Sequence, residues 1–141
     1  MKGKISKTVL LLVMALVLLT QPVAAAGKTV KVKVTFVSAT LVENNHVGNE
    51  WWWGGYVNGK ELEEGSSVTL DVSSAGTIKL QAEAQELDKI PEEGSKSATV
   101  KVSSITSAVT KSLNVTVVEN RGRYSGNTAT WKFEFKVEKV K

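Results

Sequence analysis

Apolar side chains in this chain recur at every second residue, and no segment repeats them at the 3.6-residue period of a packed helix. Val30, Val32, Val34 and Phe36 alternate with Lys31, Lys33 and Thr35. Trp131, Phe133, Phe135 and Val137 alternate with Lys132, Glu134, Lys136 and Glu138. The same rhythm runs through Val68–Val72, Ile78–Ala84, Ala98–Val102 and Leu113–Val117. Each run makes a strand with one dry face and one wet face. Trp51 to Val57 is a further, aromatic strand candidate, weakened by Gly54-Gly55.

Turn chemistry separates the runs. Asn58-Gly59 suits a type I′ hairpin turn, whose two central residues need positive φ. Glu64-Gly65 and Ala75-Gly76 mark two more turns. Residues 103–112 read either as one helical turn or as an irregular link. The expectation is an all-β, two-layer antiparallel β-sandwich of about seven or eight strands, Ig-like or C2-like in shape. A closed barrel is the main alternative.

The N-terminus reads differently. Lys2, Lys4 and Lys7 precede an uncharged apolar run, Val9 to Leu19, and Ala24-Ala25-Ala26 follow. Charged start, short apolar centre and small-residue end make a secretory signal, with cleavage expected after Ala26. The run is too short to span a bilayer, which takes roughly 20 apolar residues. Residues 27–141 are then the single domain, secreted and without a transmembrane segment. Cleavage removes three Lys and no acid, leaving 15 basic residues against 14 acidic and a net charge of +1 instead of +4. A broad attraction to nucleic acid loses its support. With no Cys, an exported chain of this size relies on its core, on ions or on assembly, a composition that fits bacterial export.

Three polar loops carry what specificity the chain has, because sandwich loops gather at the two ends. Strict up-and-down alternation of the strands would put all three at one end. The first two hold Glu43, Asn45, Asn49 and Glu50, and Glu86, Asp88 and Glu92. If these converge they supply the carboxylate and amide oxygens that Ca²⁺ takes, six to eight at a time. Calcium is the one cofactor suggested, against the alternative of solvated polar loops. The arrangement resembles a C2-type sandwich in architecture only; that resemblance implies end loops that bind calcium and then a membrane. With two Asp, Asp71 and Asp88, the chain is poorer in Asp than such sites usually are.

The remaining candidates are for ligand binding. His46, the single histidine, is expected to brace its turn, since no Gly-x-Ser-x-Gly elbow or second histidine accompanies it. No catalytic residue is assigned. Of Trp51-Trp52-Trp53, either Trp51 and Trp53 are buried and Trp52 lies across a neighbouring strand, or Trp52 joins Tyr56 and Tyr124 as an exposed platform. Arg121 and Arg123 either grip a phosphate or carboxylate or neutralise the acidic loops. The alternating Lys and Glu of the first and last strands are solvated faces that would also guard sheet edges.

The function expected is a secreted, non-catalytic binding module that recognises a surface glycan, lipid or protein through its end loops. The alternatives are a structural or assembling cell-surface protein, a membrane-active toxin-like protein, an inhibitor of a secreted hydrolase and, least favoured, a small hydrolase.

Overall fold

The computed structural model describes residues 27–88 and 90–141; the expected leader, residues 1–26, lies outside them. Eight strands run in chain order: β1 Thr29–Asn44, β2 Trp51–Val57, β3 Lys60–Leu62, β4 Ser67–Ser73, β5 Thr77–Glu86, β6 Glu92–Lys101, β7 Val109–Val118 and β8 Thr128–Lys139. They form two antiparallel four-stranded sheets, β4-β1-β8-β7 and β3-β2-β5-β6, packed as a β-sandwich. The short strand β3 was not expected, and the link between β6 and β7 holds only a 3₁₀ turn, Val102–Ser104.

The alternation that marked the strands also fills the space between the sheets. Val32, Val34 and Phe36 of β1 and Phe133, Phe135 and Val137 of β8 fill it from one sheet, and Ile78, Leu80 and Ala82 of β5 from the other, all buried. Phe36 stacks on Phe133 and Phe135, with ring centroids 5.8 and 5.0 Å away. The glycine pair in β2 is no bulge: β2 pairs with β5 in unbroken register from Trp51 to Val57. Gly55 faces inward, and a Cβ there would sit 2.7 Å from Cε1 of Phe36 and 3.1 Å from Cζ of Phe135. Its bare backbone makes the room in which the Phe36 ring lies.

Asn58-Gly59 is a turn with positive φ at both positions, 49° and 80°. Asn58 ties it to β5, its Oδ1 accepting the Lys79 N–H at 2.9 Å. Each charged pair on the wet face of sheet β4-β1-β8-β7 is solvent-exposed, as with Lys31–Asp71 at 2.8 Å, and contributes little. These side chains do not guard an edge as expected, because β8 is internal and β1 is covered by β4 from Thr29 to Thr35. Beyond Thr35 no strand pairs with β1 on that flank among the described residues, although Phe36 exchanges backbone hydrogen bonds with Gly65 and Ser66, and β3 covers β2 only from Gly55 to Val57. Glu64, between β3 and β4, closes this gap. Its carboxylate accepts the Ala39 N–H at 2.9 Å and the Trp53 Nε1–H at 3.2 Å.

Gly55→Ala should destabilise the protein by about 1–3 kcal/mol, since the added methyl meets a packed ring from the opposite sheet. Gly59→Ala meets no neighbouring atom, so its cost comes from the positive φ alone. Urea denaturation of both variants checks this. A neutral Gly55→Ala would mean that Phe36 is not held by that contact.

Candidate functional site

The strands alternate up and down, so the β1–β2, β5–β6 and β7–β8 loops meet at one end of the sandwich. They are tied to one another. The Leu87 N–H donates to the Glu50 carbonyl at 2.6 Å, and the Asn45 N–H donates to the Thr128 carbonyl at 3.1 Å. His46, in a left-handed conformation, stacks on Tyr124 with centroids 4.5 Å apart. The expected brace of the first loop is therefore Asn44, not His46. Asn44 Oδ1 accepts the Val47 N–H, and its Nδ2 donates to the Gly48 carbonyl.

Several expected loop residues belong to strands. Glu43 lies in β1, one residue before its end, Glu86 is the last residue of β5, and Glu92 is the first of β6. Glu86 and Glu92 are register partners, and both point inward at the end of the core. With Asp88 they bring carboxylate oxygens within 4.8 Å of one another. Glu86 is 4% exposed and Glu92 3%, and one oxygen of each is buried without a hydrogen-bond partner. Gly48 lies directly against the Glu86 carboxyl, leaving no space for a side chain there.

The other expected cation ligands lie outside this group. Glu43 accepts a hydrogen bond from the Asn45 amide, and the Glu50 side chain is exposed. Asn49 lines a separate depression of about 380 Å³ with Asn44, His46, Gly48 and Tyr124. Glu119 was missed as a candidate. It is buried beside Glu92, shares a hydrogen bond with it, and accepts the Arg121 N–H at 3.2 Å. A signal for it was present. Leu113, Val115, Val117 and Glu119 continue one inward alternation, as do Ile78, Leu80, Ala82, Ala84 and Glu86.

Arg121 and Arg123 lie in the β7–β8 loop. Among the described residues neither guanidinium forms an ion pair, and Arg123 lies 5.7 Å from the centroid of its neighbour, Tyr124. The three tryptophans follow neither expectation in full. Trp51 and Trp53 face between the sheets and pack on Trp131, at 5.6 and 4.7 Å, yet Trp53 stays exposed at the open flank. Trp52 and Tyr56 lie on the outer face of β2, away from Tyr124.

The acidic cluster works against its own ionisation. Burial pushes the Glu86 carboxyl up to about 7, aided by the charge and hydrogen bond of Asp88 and the charge of Glu92; the Asp88 N–H partly opposes this. Burial also raises Glu92, with the hydrogen bond and charge of Glu119 next and the Asp88 charge after them; the Asn120 N–H lowers it. Such a group either keeps a proton or takes up a cation. A hard divalent ion suits it, because carboxylate oxygens are what such an ion prefers.

Without a cation, stability should depend on pH with a definite sign. The folded state binds the Glu86 proton more tightly than the unfolded state, whose carboxyl titrates near 4.5. Its contribution is complete below pH 4.5 and is lost as pH rises through about 7. Urea melts in EDTA should therefore give a higher midpoint near pH 5 than near pH 8. Glu86→Gln should flatten that slope and stabilise the protein at the higher pH; an unchanged slope would mean that Glu86 is solvated.

No protein-family model matches this chain, and no curated protein is detectably similar to it, so its function is argued from the acidic end and the aromatic face alone.

Proposed function

We propose that this protein is a secreted, non-catalytic binding module whose end loops take up Ca²⁺ and then recognise a surface glycan, lipid or protein. One observation carries the calcium reading: Glu86 and Glu92 each bury a carboxylate oxygen with no hydrogen-bond partner, beside Asp88, where three loops meet. A buried, unpaired carboxylate is costly, and a bound cation removes that cost. Glu86, Asp88 and Glu92 would hold the ion, Glu119 would support Glu92, and loop carbonyls and water would complete the six to eight oxygens. Export is inferred from residues 2–26 and their signal-like pattern.

The ion would act on the loops rather than on a substrate. Glu86 and Glu92 end the strands on either side of the β5–β6 loop, so one cation fixes both its feet. The tip of that loop exposes Leu87 and Ile90 beside Asp88. These apolar side chains favour a lipid surface as one partner of the loaded loops. His46, stacked on Tyr124, serves a binding surface better than a proton relay.

Titrating the EDTA-treated protein with Ca²⁺ should raise its melting temperature saturably, because the ion binds only the folded state. Protons should be released during the titration near pH 6 to 7, as bound carboxyls give up theirs. Asp88→Asn and Glu92→Gln should abolish both effects, and Glu43→Gln should leave them. A flat response up to millimolar calcium would overturn the metal reading. Cosedimentation with anionic liposomes, with and without Ca²⁺, tests the lipid partner.

A further inference from the structure

The outer face of sheet β3-β2-β5-β6 is built as a grid of three chemistries. Across it, Trp52 pairs with Gln85 and Gln85 with Glu93; Gly54 pairs with Glu83 and Glu83 with Ser95; Tyr56 pairs with Gln81 and Gln81 with Ser97. One column is aromatic, the next amide and carboxylate, the last mainly hydroxyl. Trp52, Glu83, Gln85, Glu93 and Ser95 line a shallow depression of about 280 Å³.

Trp52 is held in place for use. It is 37% exposed, and its ring lies over the bare backbone of Gly54. A Cβ at Gly54 would stand 2.9 Å from Cη2 and 3.1 Å from Cζ2 of Trp52, and 3.3 Å from the Tyr56 hydroxyl. Beside Tyr56, Glu83 accepts from the Gln81 amide at 3.0 Å. The ring edge and the phenol therefore converge on one glycine, beside acceptors already oriented by their neighbours. Ordering these groups in advance lowers the entropy cost of binding.

From this face we infer a second binding site, for an uncharged glycan chain. The flat Trp52 ring offers a π-face to the C–H face of a sugar. Glu83, Glu93, Gln81 and Gln85 offer acceptors and donors to its hydroxyls. Charge selects the class of ligand: within the depression beside the ring the only charged groups among the described residues are the carboxylates of Glu83 and Glu93, with Lys79 and Lys96 in the neighbouring hollow, and these carboxylates repel phosphates, sulfates and uronates and accept hydroxyl hydrogens well. A single apolar ring among polar groups is a poor seat for a protein's hydrophobic patch. The site lies on the sheet and needs no calcium. It shares with the end-loop proposal only the reading of the chain as a binding module.

Affinity electrophoresis of the purified protein tests this, in native gels containing xylan, mixed-linkage glucan, galactomannan or soluble starch, with polygalacturonate as the anionic comparison. At least one neutral polysaccharide should retard the protein equally in EDTA and in Ca²⁺. Trp52→Ala should weaken retention by about tenfold or more at an unchanged melting temperature. Gly54→Ala keeps the indole but displaces it, so it should weaken retention and shift the Trp fluorescence. Glu83→Gln, which leaves every aromatic in place, gives a second reading if Trp52→Ala fails to fold. Absence of retention by every neutral polysaccharide overturns the inference. So does retention by polygalacturonate alone, retention that survives Trp52→Ala, or retention abolished by EDTA. Each of these outcomes leaves the calcium-dependent melting shift of the end loops to stand or fall by its own titration.

Discussion

The Phe36 ring lying on the bare backbone of Gly55 sets how the two sheets meet. The ring comes from one sheet and stacks on Phe133 and Phe135 of that same sheet; the glycine is the floor that the other sheet provides. Side chains of ordinary size hold stacked sheets about 10 Å apart, and a floor without a Cβ lets one large ring fit within that spacing. The neighbouring Gly54 faces the opposite side of β2 and does the same for Trp52. Two consecutive glycines thus seat two aromatic rings on the two faces of one strand. This explains how a strand with two glycines at its centre keeps unbroken register with β5: the rings that settle on it replace the side chains it lacks.

The end of the core is organised by a different constraint. Two inward alternations finish on glutamate, at Glu86 and Glu119, and β6 opens on a third, Glu92, where an apolar side chain would have closed the layer. Carboxyl groups crowded there, with two oxygens unpaired, oppose folding at neutral pH. The apolar alternation below them is long enough to sustain that opposition. The loops above are tied to one another through backbone hydrogen bonds and the His46–Tyr124 stack, so whatever happens among the carboxyls is felt by all three.

Much of this was legible in the residues. Period-2 patterning located six of the eight strands, aromatic content marked a seventh, Trp51–Val57, and Asn58-Gly59 announced its turn. Lys60–Leu62 escaped notice because three residues cannot display a period. Strand ends were read too early, since polar residues were taken as loop. Glu92 faces inward as the register partner of Glu86, which obeys the alternation of its strand; only chemistry, not geometry, distinguishes Glu86 from the alanines before it. Glu119 went unrecognised for the same reason. The convergence of Glu86, Asp88 and Glu92 follows from hairpin pairing and strand parity. The places of Trp51 and Trp53 depend on how far β3 and β4 reach along their neighbours, which no local pattern encodes.

The gap left by those short neighbours has a consequence for the whole molecule. Where β4 stops, Gly65 and Ser66 take up the backbone groups of Phe36, and further along the carboxylate of Glu64 accepts from both the Ala39 N–H and the Trp53 indole. One side chain stands where a strand would otherwise continue. A carboxylate holds such a position only as long as nothing competes for it, whereas a strand holds it through many bonds at once. On this flank the two sheets are therefore joined through one side chain instead of a strand, and the order of the β3–β4 loop and of the Trp53 ring depends on the same carboxylate.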